Sequence, residues 1–151
     1  MERIASFSVD HDKIEPGMYI SRIDGDITTF DLRTRRPNAG NYMDNVTMHT
    51  VEHMLATFLR GSEIGQSVIY FGPMGCRTGF YLLTRDVEPM HALAVLKKAL
   101  ADTLAHTGEV FGATQKECGN YRELDLAAGQ RECAAYLEVL KNHKGDFRYA
   151  E

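Results

Sequence analysis

The chain alternates short apolar runs that are typical of β-strands with longer segments whose apolar residues recur at helical spacing. Residues 18–23 and 27–32, the second of which is rich in β-branched residues, flank a turn signal at 24–26, which predicts a β-hairpin. Residues 67–71 and 80–83 are shorter apolar runs separated by a turn with glycine and proline, and they predict two further strands.

Three longer segments have the apolar periodicity of helices. The first runs from about residue 45 to 60, with Asp44 or Asn45 as its N-cap and a glycine as its stop. The second spans about 89–108 and begins at a proline, which suits the first turn of a helix. The third spans about 124–142.

These elements and the composition predict one α+β domain over residues 1–151, with a mostly antiparallel sheet packed against about three long helices. The chain is 44% hydrophobic and 25% charged, which is close to the average of globular proteins. A length of 151 residues suits a single domain with a sizeable core. No repeat, linker or internal boundary interrupts it.

Charge and terminal sequence limit the partners and the location. The formal net charge of -4 offers no basic surface for nucleic acid, so none is expected as a partner. The first residues lack the apolar core of a signal peptide, and no apolar run reaches the roughly 18 residues that cross a membrane. We therefore expect a cytoplasmic protein with no membrane partner. Three cysteines argue against a disulfide framework and for thiol or metal chemistry.

The first predicted helix contains His49, Glu52 and His53, which lie three and four residues apart and so share one small patch. That patch borders the apolar stripe, where ionisable groups cost free energy unless something compensates them. Two neutral imidazoles at this spacing can bind one divalent ion, and Glu52 then faces the ion as a proton carrier. The alternative is a solvated helix face with Glu-His pairing. The same motif occurs in inverted zinc peptidases, where the glutamate is the base.

Two histidines leave a metal ion short of ligands, and the three cysteines are candidates for the third. Cys133 lies on the apolar face of the last predicted helix, and we interpret it as core packing. Cys76 and Cys118 each adjoin a glycine in a predicted turn, where a side chain can be presented to a site. Spacing does not choose between them: one could bind the metal while the other stays a free, reactive thiol.

Five motifs together resemble the S-ribosylhomocysteine lyase family, whose members make the precursor of autoinducer-2. They are, in family order and spacing, SFSVDH at 6–11, FDLR at 30–33 followed by PN at 37–38, HTVEH at 49–53, PMGCRTG at 73–79 and ECG at 117–119. The chain departs from the family before Pro73, where the usual Asp-x-Ser is replaced by Tyr70, Phe71 and Gly72. A carboxylate and a hydroxyl are thereby lost near the implied site.

The resemblance implies a role for each candidate residue. The implied metal ligands are His49, His53 and Cys118. The implied acid–base pair is Glu52 and Cys76. The residues implied to line the substrate pocket are Ser6, His11 and Arg33. The resemblance also implies a homodimer with its sites at the subunit interface and one divalent metal ion per subunit, ferrous iron natively, with zinc or cobalt possible in purified protein.

The implied reaction cleaves the thioether of S-ribosylhomocysteine to homocysteine and 4,5-dihydroxypentane-2,3-dione. The ribose carbonyl migrates through enediolates, which a metal ion with an open position can stabilise, and β-elimination follows. Glu52 and Cys76 supply the bases, and we expect Cys76 to be a thiolate in the resting enzyme. Two rival functions stay open: a metallopeptidase with Glu123 or Glu132 as its third ligand, and a binding module with a closed structural metal site.

Overall fold

The computed structural model describes residues 3–150, and of Ala5 and Ser6 it describes the backbone alone. Its helices are α1 (Ala5–Ser8), α2 (Asn45–Arg60), α3 (Pro89–Ala105) and α4 (Leu126–Lys141). Its strands are β1 (Gly17–Asp24), β2 (Ile27–Arg33), β3 (Val68–Pro73) and β4 (Gly79–Arg85). The predicted α+β class, with four strands and three long helices, is therefore confirmed.

The four described strands form one antiparallel sheet in the order β1-β2-β4-β3. β1 and β2 are the predicted hairpin, and Gly25 in its turn has φ +62°, a left-handed conformation that favours glycine. β4 lies between β2 and β3, and Arg33 at the end of β2 pairs with Gly79 at the start of β4. The end of β2 therefore lies beside the turn that joins β3 to β4.

One face of the sheet packs against the long helices. Apolar side chains alternate along the strands, as a sheet covered on one face requires. The buried inward side chains include Met18, Phe30, Leu32, Phe80 and Leu82. α2 packs against β3, α3 and α4, so it is held by three elements and gives a rigid support for the side chains that it carries.

The ends of α2 lie where the sequence predicted them. The Asp44 carboxylate accepts a hydrogen bond from the Thr47 N–H at 2.7 Å, which is an N-cap. Hydrogen bonding to Thr47 is the main cause that lowers the pKa of Asp44. Gly61 follows the last residue of the helix, as predicted.

α3 and α4 are each slightly shorter than predicted. α3 ends at Ala105 rather than near residue 108, and the Gln130 side-chain amide donates to the carbonyl of His106 just beyond it at 3.0 Å. α4 begins at Leu126 because Asp125, not an earlier residue, is its N-cap. None of the helices described in residues 3–150 is long and apolar enough to cross a membrane.

Candidate metal centre and active site

α2 presents two imidazoles to the loop that precedes α4. The rings of His49 and His53 have centroids 4.5 Å apart and planes at 87°. Cys118 lies in that loop, and its Sγ is 3.4 Å from His49 Nε2. One donor atom from each of the three side chains lies within 4.8 Å of the other two. The structure thus brings the three predicted ligands together in a cluster that could hold a metal ion.

Backbone carbonyls fix the orientation of both rings. His49 Nδ1 donates to the carbonyl of Glu123 at 2.9 Å, and His53 Nδ1 donates to the carbonyl of Phe111 at 2.7 Å. Because a carbonyl oxygen only accepts, each Nδ1 carries a proton, and in the neutral tautomer that this fixes, the lone pair that can bind a metal ion is on Nε2. Such outer hydrogen bonds are typical of metal-binding histidines. A donor set of two imidazole nitrogens and one thiolate therefore fits a divalent ion such as zinc or ferrous iron.

A glycine allows the Phe111 carbonyl to approach His53 closely. Gly112 has φ +70°, a conformation that L side chains rarely adopt. A Cβ at position 112 would also lie 3.3 Å from His53 Nδ1, which is tighter than ordinary van der Waals contact. Backbone conformation and space therefore both favour glycine beside this ligand.

Glu52 lies on the same helix between the two histidines, and its side chain is half-buried. It lines an open cleft together with His53, Phe111 and Glu117. Its spacing of three residues from His49 keeps its carboxylate on the histidine face of α2. The structure therefore places Glu52 in the wall of a cleft that reaches the metal cluster.

Replacing Cys118 by alanine is expected to weaken Zn²⁺ binding by more than the roughly 10- to 100-fold that outer hydrogen bonds contribute. The change removes one of three donors and leaves two imidazoles, which form a much weaker site. Competition with a chromogenic chelator measures the affinity. Cys76→Ala is the matched control and should bind Zn²⁺ as the parent does; equal weakening by both variants would contradict the assignment of Cys118.

Cys76 is exposed in the turn between β3 and β4. In that turn the Arg77 N–H donates to the carbonyl of Met74 at 3.0 Å, and Arg77 has φ +64°. The Cys76 Sγ is 3.0 Å from Thr78 Oγ1. Cys76 is therefore an exposed residue whose sulfur is in contact with a neighbouring hydroxyl.

The loop before α2 connects this turn to the metal-binding helix. The Met43 N–H donates to the Arg77 carbonyl at 3.0 Å, and Arg77 Nη1 donates to the Met43 carbonyl at 3.4 Å. Met43 directly precedes Asp44, the N-cap of α2. Within residues 3–150 no hydrogen bond joins Cys76 to the three metal-cluster residues, so its action on the same substrate stays a prediction.

A buried ion pair adjoins the thiol. Arg33 is 2% exposed, its Nε and Nη2 donate to the Asp31 carboxylate at 3.1 and 2.7 Å, and its Nη1 donates to Thr78 Oγ1 at 2.9 Å. Burial opposes the charge of Arg33, but the hydrogen bonds and charge of Asp31 raise its pKa. The Tyr149 hydroxyl also donates to Asp31, at 2.7 Å. Arg33 thus reaches Cys76 through Thr78, and its predicted contact with substrate stays a prediction.

The partners of Arg33 were not predicted from the sequence. Asp31 had a usable signal, because residues two apart on a strand lie on the same face of the sheet. Thr78 and Tyr149 had none, since they join the network from 45 and 118 residues away in the chain. The two carbonyls that orient the histidines were missed for the same reason.

Tyr149→Phe is expected to reduce the loss of stability at alkaline pH. Burial, then the charge of Asp31 and the hydrogen bond to it, raises the pKa of Tyr149 above its ordinary value. As the pH rises, the unfolded chain therefore loses the phenolic proton before the folded protein does. The contribution of Tyr149 to the free energy of unfolding is complete below about pH 10 and is lost as the pH rises above that value. Urea titrations between about pH 8 and pH 11 should show a smaller fall in unfolding free energy for the variant. An equal fall in the unfolding free energy of the parent and of Tyr149→Phe would contradict this prediction.

Two predicted substrate residues lie near the N-terminus. His11 is half-buried at the start of a short 3-10 turn, and its Nδ1 donates to the Val9 carbonyl at 2.9 Å. Ser6 lies in α1, but its side chain is outside the described residues. Their contacts with substrate stay predictions.

The two departures from the family pattern are coupled. The Tyr70 ring lies over Gly72, where a Cβ would overlap the tyrosine hydroxyl. Tyr70 is 47% exposed and lines a groove with Tyr81 and Leu83 on the face of the sheet away from the helices. The glycine therefore leaves the space that the tyrosine fills.

A cluster of three donors, one of which (His53) lines an open cleft together with Glu52, is typical of proteins with a mononuclear metal centre. A profile of the S-ribosylhomocysteinase (LuxS) family matches residues 4–146. The S-ribosylhomocysteine lyase of Clostridium acetobutylicum is 46% identical over 157 residues, covering 97% of this chain and 96% of the relative. That of Borreliella burgdorferi is 40% identical over 150 residues, covering 95% and 96%. The chain belongs to the S-ribosylhomocysteinase family.

Proposed function

We propose that this chain is a metal-dependent S-ribosylhomocysteine lyase that releases homocysteine and 4,5-dihydroxypentane-2,3-dione. The observation that supports the proposal is the cluster of His49, His53 and Cys118. Relatives named S-ribosylhomocysteine lyase also match this chain over nearly their full length. Within residues 3–150 the cluster has three protein donors. Three donors suit a catalytic ion with an open position, whereas structural zinc sites are normally closed by four.

The reaction moves protons along the sugar before the thioether breaks. When bound, a divalent ion supplies Lewis-acid stabilisation of negative charge on the sugar oxygens. Glu52 is the proposed base for proton transfers next to the metal cluster, because its carboxylate lines the cleft with His53. Cys76 is the proposed second base, whose exposed Sγ can take and return a proton. In the last step one carbon loses a proton, the C–S bond breaks and the leaving sulfur takes a proton.

Ser6, His11 and Arg33 are the proposed substrate-binding residues. Because Arg33 is buried and paired with Asp31, its proposed effect on substrate binding is largely indirect. It acts through Thr78, whose hydroxyl contacts both the guanidinium and the Cys76 thiol. A fixed cation near the pocket also suits a substrate with a carboxylate and hydroxyl groups.

A homodimer is the proposed assembly, with the sites at its interface. The sheet face away from the long helices has a groove lined by Ile4, Tyr70, Tyr81 and Leu83, and Ile4 and Tyr70 are 56% and 47% exposed. Exposed apolar surface of this kind is typical of protein–protein interfaces. Sedimentation equilibrium should give twice the chain mass of 17.0 kDa; a monomer at micromolar concentration would contradict the assembly.

Ferrous iron is the proposed native ion and the cytoplasm the proposed location, both by family resemblance. The mixed nitrogen and sulfur donor set accepts iron and zinc alike. Anaerobic purification followed by elemental analysis tests the metal: iron near one equivalent per chain supports the proposal, and zinc alone contradicts it.

A metallopeptidase of the inverted motif is the less favoured function. It needs a carboxylate as third ligand. Glu132 forms an ion pair with Arg35 at 2.6 Å and its side chain is 7% exposed, so it is already engaged in the interior. Glu123 contacts His49 through its backbone carbonyl. The third donor in the cluster is the sulfur of Cys118.

The function is tested by incubating the Zn²⁺- or Fe²⁺-loaded protein with S-ribosylhomocysteine and identifying the products by mass spectrometry. Homocysteine and the dione should appear in equal amounts. A mixture of unlabelled peptides serves as the parallel substrate for the rival function. Peptide cleavage without homocysteine release would overturn the proposal.

A further inference from the structure

Two adjacent residues of α2 contact the same short segment before α4. His49 Nδ1 donates to the Glu123 carbonyl at 2.9 Å, and Thr50 Oγ1 accepts from the Asp125 N–H at 2.9 Å. The segment also begins at Cys118, whose Sγ lies 3.4 Å from His49 Nε2. One segment therefore supplies a candidate ligand and the carbonyl that orients another.

Thr50 is fully buried and both roles of its hydroxyl are used. The hydroxyl donates to the Val46 carbonyl at 2.7 Å while it accepts from Asp125. Asp125 is the N-cap of α4, and its carboxylate accepts from the Ala128 N–H at 3.3 Å. The Thr50 hydroxyl therefore fixes the start of α4 to the middle of α2.

Gly129 brings the two helices together at the same point. A Cβ at position 129 would lie 2.6 Å from Thr50 Cγ2 and 3.7 Å from the Val51 nitrogen. Glycine is unfavourable within a helix, so its presence in the first turns of α4 has its reason in this close approach. A larger side chain therefore forces either α4 or the Thr50 side chain to shift.

We infer that Thr50 and Gly129 are positioning residues for the metal cluster, setting the distance at which the 118–125 segment meets His49. Only Leu124 separates Asp125 from Glu123 in the chain, so a displacement of the Asp125 N–H also moves Glu123. The carbonyl of Glu123 would then leave His49 Nδ1, and the imidazole would lose its fixed orientation. The inference rests on the proposed metal site and adds to it how that site is held.

The hydroxyl is tested with Thr50→Val and Thr50→Ser, measuring Zn²⁺ affinity by chelator competition and the unfolding free energy of the metal-free protein. Thr50→Val should weaken Zn²⁺ binding by about 10- to 100-fold, the range for lost outer contacts, and Thr50→Ser should stay within about twofold of the parent. Thr103→Val is the matched control, because Thr103 is also fully buried and donates within its own helix, to the Ala99 carbonyl at 2.9 Å. It should lower stability without changing Zn²⁺ affinity.

The close approach is tested with Gly129→Ala, alone and combined with Thr50→Ser. The added methyl group should weaken Zn²⁺ binding. Thr50→Ser removes Cγ2, the nearest atom at 2.6 Å, and keeps the hydroxyl and Cβ, which lies at 3.2 Å, so the double variant should regain part of the affinity. This pair tests the inference independently of whether Thr50→Val folds.

Unchanged Zn²⁺ affinity in Thr50→Val and in Gly129→Ala, with lower unfolding free energy alone, would show a purely structural role and overturn the inference. Equal weakening by Thr103→Val would do the same. A parent protein that bound no Zn²⁺ would instead refute the proposed metal site. The readout is metal binding, so a failed lyase assay leaves this result standing.

Discussion

Cys76→Ala is expected to lower the rate of thiol release from S-ribosylhomocysteine by about 10²- to 10⁴-fold, the usual contribution of one acid–base group. The Cys76 side chain is exposed in a turn, and its Sγ contact is with Thr78 rather than with the metal cluster. Removing the sulfur should therefore leave Zn²⁺ affinity and unfolding free energy close to those of the parent. Steady-state rates at saturating substrate measure the effect.

Cys133→Ala is the control for loss of a thiol. Cys133 is 1% exposed, and burial with the charge of Glu132 raises its pKa to about 12, so it is core packing as predicted. Its replacement should lower stability and leave the rate per folded molecule unchanged. A Cys76→Ala protein with the parent's rate would contradict the assignment of Cys76 and return the peptidase to consideration.

Glu52→Gln is expected to have an effect of the same size, about 10²- to 10⁴-fold on the rate, because the amide cannot accept the transferred proton. The glutamine keeps the volume of a side chain that lines the cleft beside His53. The fall should therefore be in kcat, with the Michaelis constant and Zn²⁺ affinity little changed.

Glu63→Gln is the matched control for the charge. Glu63 is an exposed carboxylate paired with His91 at 2.8 Å, away from the metal cluster. This variant should have the parent's kcat. If Glu52→Gln lost Zn²⁺ binding instead of turnover, Glu52 would be a ligand and the proposed division of roles would be wrong.

The secondary structure was predictable because its signals are local. Asp44 and Gly61 bound α2 as capping chemistry requires, and the apolar runs marked the four strands. α4 was predicted two residues early, although aspartate is favoured at N-caps and the Asp125 carboxylate accepts a hydrogen bond from the Ala128 N–H. This boundary was therefore available from local chemistry.

The candidate site was predictable only where its chemistry repeats at a helical period. His49, Glu52 and His53 stood out from the sequence alone, whereas Cys118 was indistinguishable from Cys76 until family motifs were considered. The Glu123 and Phe111 groups that orient the imidazoles are backbone carbonyls, 74 and 58 residues from their partners. Every residue has such a carbonyl, so no side-chain pattern could have identified these two.

Arg33 shows what a correct motif leaves out. The family resemblance implies that it binds substrate, and the structure adds that its guanidinium is buried and bound to Asp31. Breaking such a buried pair typically costs about 3–5 kcal/mol. Loss of activity in an Arg33 variant must therefore be compared with its unfolding free energy before it is read as loss of substrate binding.

The most direct test of the account follows thiol release from S-ribosylhomocysteine while Fe²⁺ or Zn²⁺ is added stepwise to metal-free protein under anaerobic conditions. The cluster of His49, His53 and Cys118 predicts one ion per chain. The rate should rise in proportion to bound metal and stop rising at one equivalent. Full activity in the metal-free protein, or no thiol release at one equivalent, would contradict a metal-dependent lyase.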